Sequence, residues 1–154
     1  MNTKMTIENL NSLLVMNDDR LEGYKSALYE AKENDIKTMF STFAQTSLVC
    51  RKEIFFEIKR IGGKKNNRTI ETGKFFRIWT DMKKAIKKDD RKTILDFCKY
   101  AENAMLEEYQ KIINESAYQL NNEEQIVLNK HYKLLKCDYE KVIQLHTHFL
   151  EEAC

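Results

Sequence analysis

Glu22 and Glu102 each stand seven residues before a tyrosine, Tyr29 and Tyr109, in long stretches patterned as helices. Seven residues is two turns, so each tyrosine shares a face with its acid, and both acids fall on or beside the apolar stripe. A carboxylate on the inner face of a bundle is costly unless it is paired, hydrogen-bonded, protonated or bound to metal. Asp138 is a third inward acid, and Cys50 and His131 lie on the stripes of their own segments. Three carboxylates suit a hard ion such as manganese or ferrous iron, and a thiolate or imidazole turns the preference toward zinc or iron. The candidate metal ligands are therefore Glu22, Glu102, Asp138, Cys50 and His131. The same residues admit a second arrangement without any cofactor. In it the acids hydrogen-bond Tyr24, Tyr29, Tyr109, Ser47 or one another, and close carboxylates share a proton.

Other chemistry has little support. There is no serine elbow, no glycine-rich phosphate loop and no Cys-His pair at helical spacing. His131 lies about two turns before Asp138, beyond i, i+4 chelation. His146 and His148 are two residues apart and point to different faces. Cys50, Cys98, Cys137 and Cys154 are scattered, without framework spacing, and read as reduced thiols. Gly23 sits mid-helix, where glycine costs roughly 1 kcal/mol against alanine; close packing by a neighbouring helix or the crossover accounts for it.

The elements that must position these residues are helices. The chain has 154 residues, no proline and four glycines, which permits long unbroken helices and predicts one domain over 1–154. Helix one is expected over about Thr6 to Glu33, with Ile7, Leu10, Leu14, Leu21, Leu28 and Ala31 inward. Asn34-Asp35 supplies the turn and a capping acid. Helix two carries Ile36, Phe40, Phe43, Ser47, Cys50, Ile54, Ile58 and Ile61, and Gly62-Gly63 stops it. A polar loop, Lys64 to Thr72, leads to a short helix with Phe75, Ile78, Trp79, Met82 and Ile86 on one face. Asp89-Asp90 caps a third long helix whose stripe is Ile94, Leu95, Cys98, Ala101, Glu102, Met105, Tyr109 and Ile112. After a turn at Leu120-Asn121-Asn122, the last helix shows Val127, His131, Leu134, Leu135, Asp138, Val142, Leu145 and Phe149. Two hairpins joined by one long crossover is the ferritin-like plan rather than a simple up-down bundle. A shift of 80 residues lays Leu14 on Ile94, Val15 on Leu95, Glu22 on Glu102 and Tyr29 on Tyr109, which suggests an internal repeat.

Several stretches carry a family resemblance: LNSLLVMNDDRLEGYKSAL, FSTFAQTSLVCRKEI ending in IKRIGG, FRIWTDMKKAI, DRKTILDFCKYAENAMLEEY and the helix around LLKCDYEKVIQL. The chain resembles the bacterial ferritin-like four-helix-bundle family called domain of unknown function 2383. NDDRLEGY, RIGG and the Trp79 helix are the more specific parts. The resemblance implies an all-α ferritin-like four-helix bundle of two helical hairpins, with a short fifth helix in the long crossover between helices two and three. It implies a bacterial cytosolic protein and no agreed activity. In the wider superfamily one Glu comes from each of two helices and a Glu-x-x-His from each of the others. Glu22 and Glu102 match the single-Glu positions, but helix two offers Ser47-x-x-Cys50 and helix four Leu135-x-x-Asp138. Four of six expected ligands are thereby missing, and fold does not carry function across such a loss.

Two functions follow as expectations. The first is a non-catalytic bundle, stress-related by analogy with the superfamily, that self-associates or binds a protein partner. The second is an iron- or manganese-binding bundle or oxidoreductase with a degenerate carboxylate site. Between Lys59 and Lys92 thirteen Lys/Arg face four Asp/Glu, so this crossover is +9 within a chain of net charge +2. It reads as a solvated face in preference to a nucleic-acid surface. No apolar run approaches a membrane span, and MNTKMTIENL lacks a signal-peptide core, so no membrane partner is expected and the cytoplasm is the expected location.

Overall fold

The computed structural model describes residues 3–65, 74–88, 90–115 and 120–153, and the side chains of all but 74–76 and 149–153 among them. Five helices run in the order α1 (Thr3–Glu30), α2 (Asn34–Arg60), α3 (Lys74–Lys87), α4 (Arg91–Glu115) and α5 (Asn122–Ala153). The largest helix contacts are within two hairpins, α1 with α2 and α4 with α5. The crossover helix α3 lies against α1 and α4. Most of the expected Lys64 to Thr72 loop, the side chains of Phe75, Phe76 and Phe149, and Asp89 and Cys154 lie outside the described residues.

The ends of the helices follow local chemistry. α2 closes as a Schellman motif: Gly63 N–H donates to Ile58 O at 2.8 Å and Gly62 N–H to Lys59 O at 3.0 Å. Gly62 sits at φ +84°, where glycine alone is unstrained. α5 opens with a capping box. Glu124 N–H donates to Asn121 Oδ1 at 3.0 Å, and Asn121 N–H donates to Glu124 Oε2 at 2.7 Å. Asp90 caps α4 through Thr93. The α1–α2 turn differs from expectation. α1 ends at Glu30 and Glu33 is the N-cap of α2, so Asn34 and Asp35 are already helical. Asp35 accepts from Ile36 N–H and pairs with Arg91 at the start of α4 (2.6 Å), which joins the two hairpins.

The inward stripes of α2 and α4 were legible almost residue for residue. Seven of the eight expected on α2 are buried, Ile61 being half-buried, and all eight on α4 are. Along every long helix, however, the apolar core is interrupted. One cluster holds Tyr24, Phe40, Phe43, Leu95, Cys98 and Val142. The other holds Leu10, Leu13, Ile54, Met105, Leu128 and Leu135. Between them, one layer across the bundle, lie Asn17 and Arg20 of α1, Ser47 of α2, Glu102 of α4 and Asp138 of α5, all buried, while the buried His131 lies two turns before Asp138, between Leu128 and Leu135 of the second cluster.

Candidate functional site: an arginine-centred polar layer

Arg20 projects from α1 into this layer and is fully buried. A guanidinium carries five N–H donors in a planar fork, and here all five are used. Nε donates to Glu102 Oε2 at 2.9 Å and Nη2 to Glu102 Oε1 at 2.6 Å, a bidentate pair. Nη2 also donates to Asp138 Oδ2 at 2.8 Å. Nη1 donates to the carbonyl of Phe43 at 2.8 Å and to Ser47 Oγ at 2.9 Å. One side chain of α1 thus bonds α2, α4 and α5. The rings of Tyr24 and Phe43 flank it, with its central carbon 5.2 and 5.3 Å from their centroids.

The electrostatics are those of a closed set. Burial alone would weaken the guanidinium's hold on its proton, and Glu102, by charge and hydrogen bond, more than reverses this, so Arg20 titrates above its usual range. Burial raises the carboxyl of Asp138, and Arg20 opposes that rise. Tyr24 donates to Glu102 Oε2 at 2.7 Å, and burial pushes its phenol well above the ordinary value.

From Ser47 the network continues toward the surface. Ser47 Oγ donates to Asn17 Oδ1 at 3.1 Å, and Asn17 Nδ2 donates to Tyr109 OH at 2.8 Å. Tyr109 meets His131 Nδ1 at 3.4 Å, and His131 Nε2 meets Glu53 Oε2 at 3.3 Å. Glu53 pairs with Lys130 at the solvent boundary. Burial lowers the His131 pKa, which keeps the ring neutral at pH 7. Burial likewise pushes the Cys50 thiol up to about 12, so it is not a thiolate.

The placement of the expected ligands is mixed. Glu102 and Asp138 converge, both through Arg20. His131 and Cys50 are buried in the layer's Tyr109 arm. Glu22 requires a correction: its side chain is exposed, as is Tyr29 at 87%. Leu21 and Tyr24 take the inward positions around Glu22, so the acid points to solvent. The 80-residue repeat therefore fails on its two most telling pairs. A shift of 85 places Leu10, Leu13, Asn17, Arg20, Tyr24 and Ala27 on Leu95, Cys98, Glu102, Met105, Tyr109 and Ile112, all buried. The hydrogen bonds respect that shift: Tyr24 reaches Glu102, and Asn17 reaches Tyr109. Asn17 stands as the counterpart of Glu102.

A family model for a domain of unknown function (DUF2383) matches residues 5–115. The chain belongs to this family. None of the curated proteins matches it. A ferritin-like, diiron-carboxylate protein from Bacillus anthracis str. Ames is similar in structure, with a TM-score of 0.72 and 15% sequence identity, over 94% of this chain and 96% of that one. At that identity the likeness establishes the ferritin-like bundle alone, as expected from the two hairpins and long crossover. The donor set here does not fit a pair of metal ions. Glu102 and Asp138 are both engaged by Arg20, and the counterpart of Glu102 is an amide. Among the described residues no three His, Cys, Asp or Glu side chains group as a metal site.

Arg20 is the residue that sequence reasoning missed. The signal was present in the 3-4-3-4 spacing of Leu10, Leu13, Asn17, Arg20, Tyr24 and Ala27. It was hidden because a stripe counted from apolar residues alone skips both polar members. Gly23 is explained as expected: Trp79 of α3 lies over it, and an added Cβ would sit 2.5 Å from Trp79 Cδ2. On α3 the apolar residues Ile78, Trp79, Met82 and Ile86 are buried while Arg77, Lys83, Lys84 and Lys87 are exposed, as is Lys88 just after it. Among the described residues no helix is long and apolar enough to cross a membrane.

Proposed function

We infer that this protein is a non-catalytic ferritin-like bundle that acts through its surface, by association with a second copy of itself. The observation that carries this reading is Arg20. Its guanidinium and the two carboxylates satisfy one another in the centre, where the superfamily's chemistry would otherwise be done.

Among the described residues, an apolar pair on the α2–α5 face is suited to association. Phe56 on α2 and Ile126 on α5 are 64% and 67% exposed. Two ion pairs across the α2–α5 seam bracket them in both helices, Glu53–Lys130 on one side and Arg60–Glu123 on the other. An apolar centre with a charged rim is the usual anatomy of a protein interface, and large side chains at its middle carry most of the affinity. Charges on the rim favour a matching orientation of the partner.

Sedimentation over a range of concentrations tests the reading. The wild type should self-associate, and Phe56→Asp with Ile126→Asp should sediment as a monomer with unchanged helical circular dichroism. A wild type that stays monomeric at every concentration overturns it.

A further inference from the structure

We propose that the Arg20 guanidinium is the resident cation of the bundle centre, held where the ferritin-like plan places metal, and that the centre is in chemical terms a guanidinium-binding site. This goes beyond the association reading and does not depend on which face the bundle uses.

Three observations carry it. The first is position. Arg20 of α1 and its acceptors on α2, α4 and α5 bring all four long helices together where the two apolar clusters meet, and Asn17 and Glu102 are related by the same 85-residue shift that relates Tyr24 and Tyr109. The second is shape. The acceptors around Arg20 match a planar fork: two oxygens of Glu102 on one edge, Asp138 Oδ2 beside them, and Phe43 O with Ser47 Oγ on the third nitrogen. Spherical metal ions gather ligands radially at about 2.0–2.6 Å, whereas these acceptors are spaced to meet separate N–H groups. The third is charge. One fixed cation faces the carboxyl groups of Glu102 and Asp138, and the aromatic faces of Tyr24 and Phe43 complete the enclosure of a flat, weakly hydrated cation. The site adjoins the surface at Asp138. A groove of about 480 Å³ between α2 and α5, lined by Met39, Phe43, Lys141 and Leu145 among others, has Asp138 in its wall.

The site should therefore accept the missing part of the side chain from solution. In Arg20→Ala, low-millimolar ethylguanidinium should raise the melting temperature by several degrees, and tetramethylammonium, which has no N–H, should not. Wild type, whose site is full, should not respond to either. No rise in Arg20→Ala, or an equal rise with tetramethylammonium, overturns the proposal. In parallel, wild type purified without chelator is exposed to ferrous iron, manganese and zinc and then analysed for metal. Stoichiometric metal that is lost in Glu102→Gln overturns the proposal, and its absence agrees with it. Should Arg20→Ala fail to fold, Arg20→Lys decides together with the metal analysis. Lysine keeps the charge and loses the fork, so a variant as stable as wild type contradicts the fork geometry, and a clearly lower melting temperature supports it.

Discussion

Glu102→Gln and Glu22→Gln are the same chemical change at positions related by the first apparent repeat, and the structure separates them sharply. Glu102 accepts two hydrogen bonds from Arg20 and one from Tyr24 in a site closed to water. A glutamine there keeps the volume and removes the charge. It also places an amide NH2 against donors, so at least one N–H of Arg20 or the Tyr24 hydroxyl loses its acceptor. Breaking one partner out of a buried ion pair leaves the other charge uncompensated and costs about 3–5 kcal/mol. For a chain of this size 1 kcal/mol is roughly 2–4 °C in melting temperature, so the expected fall is about 6–20 °C. Glu22 is exposed, and its glutamine variant should stay within about 0.5 kcal/mol of wild type. Urea unfolding followed by circular dichroism gives both values, with an unchanged m confirming that stability alone has moved. If Glu102→Gln cost less than about 1 kcal/mol, or the two variants fell equally, the arginine-centred account of the core would be wrong.

Gly23→Ala should destabilise by about 1–3 kcal/mol despite alanine's better helix propensity, because its Cβ would press on Trp79 at 2.5 Å; shortening the indole with Trp79→Leu should recover part of the loss. Asp19 Oδ2 is buried without a hydrogen-bond partner, and burial first, then the charge of Asp18, raises its carboxyl from 3.8 to about 6. The folded state therefore binds this proton more tightly than the unfolded one. Its contribution to stability is present below pH 3.8 and lost as the pH rises through about 6, and Asp19→Asn should flatten that part of the stability–pH curve. His131 has the opposite sign. Burial holds its folded pKa below 6.5, so its contribution is present above pH 6.5 and lost as the pH falls through the folded value. A ring-proton NMR titration should show this histidine less than half protonated at pH 6.5, and one half-protonated or more there would contradict the buried Tyr109–His131–Glu53 arm.

How much of this was legible in the sequence depended on the kind of signal. α2 and α4 carry apolar residues at nearly every inward position, so periodicity alone placed Phe40, Ile54, Cys98 and Met105 in the core. Glu102 was found because its neighbours Cys98, Ala101 and Met105 leave no doubt about the face. α1 is different. Its inner face mixes Leu10, Leu13 and Ala27 with Asn17 and Arg20, and Glu22 lies only two residues from Arg20. A helix advances 100° per residue, so an error of two positions carries a side chain to the opposite face, and acid chemistry was assigned to the wrong residue. The long pairs that define the site, 82 residues between Arg20 and Glu102 and 118 between Arg20 and Asp138, are tertiary facts with no local signature. Asp138 and His131 were recognised as inward without any indication of what they face.

Stability alone does not account for an arginine in this layer. A buried ion network replaced by apolar residues of similar volume is often neutral or more stable by about 1–4 kcal/mol, since the desolvation cost of the charges disappears. Arg20→Met, Glu102→Leu and Asp138→Leu together should therefore unfold no more easily than wild type, in contrast to Glu102→Gln alone. What the triple variant loses is direction. Methionine and leucine pack in many ways, and a core repacked with them loses uniqueness before it loses stability. The guanidinium does not permit this, because its bonds reach a backbone carbonyl and a hydroxyl of α2, a carboxylate of α4 and a carboxylate of α5 at once. These bonds tie α1 to α2, α4 and α5 at one level, and the expected consequence is a fixed axial register of the four helices. Amide hydrogen exchange tests this directly. The triple variant should keep its melting temperature while amides near Arg20, Ser47, Glu102 and Asp138 exchange faster. Protection equal to wild type at those positions would mean that register is held elsewhere, by the caps at Gly62 and Asn121 and by Trp79 over Gly23.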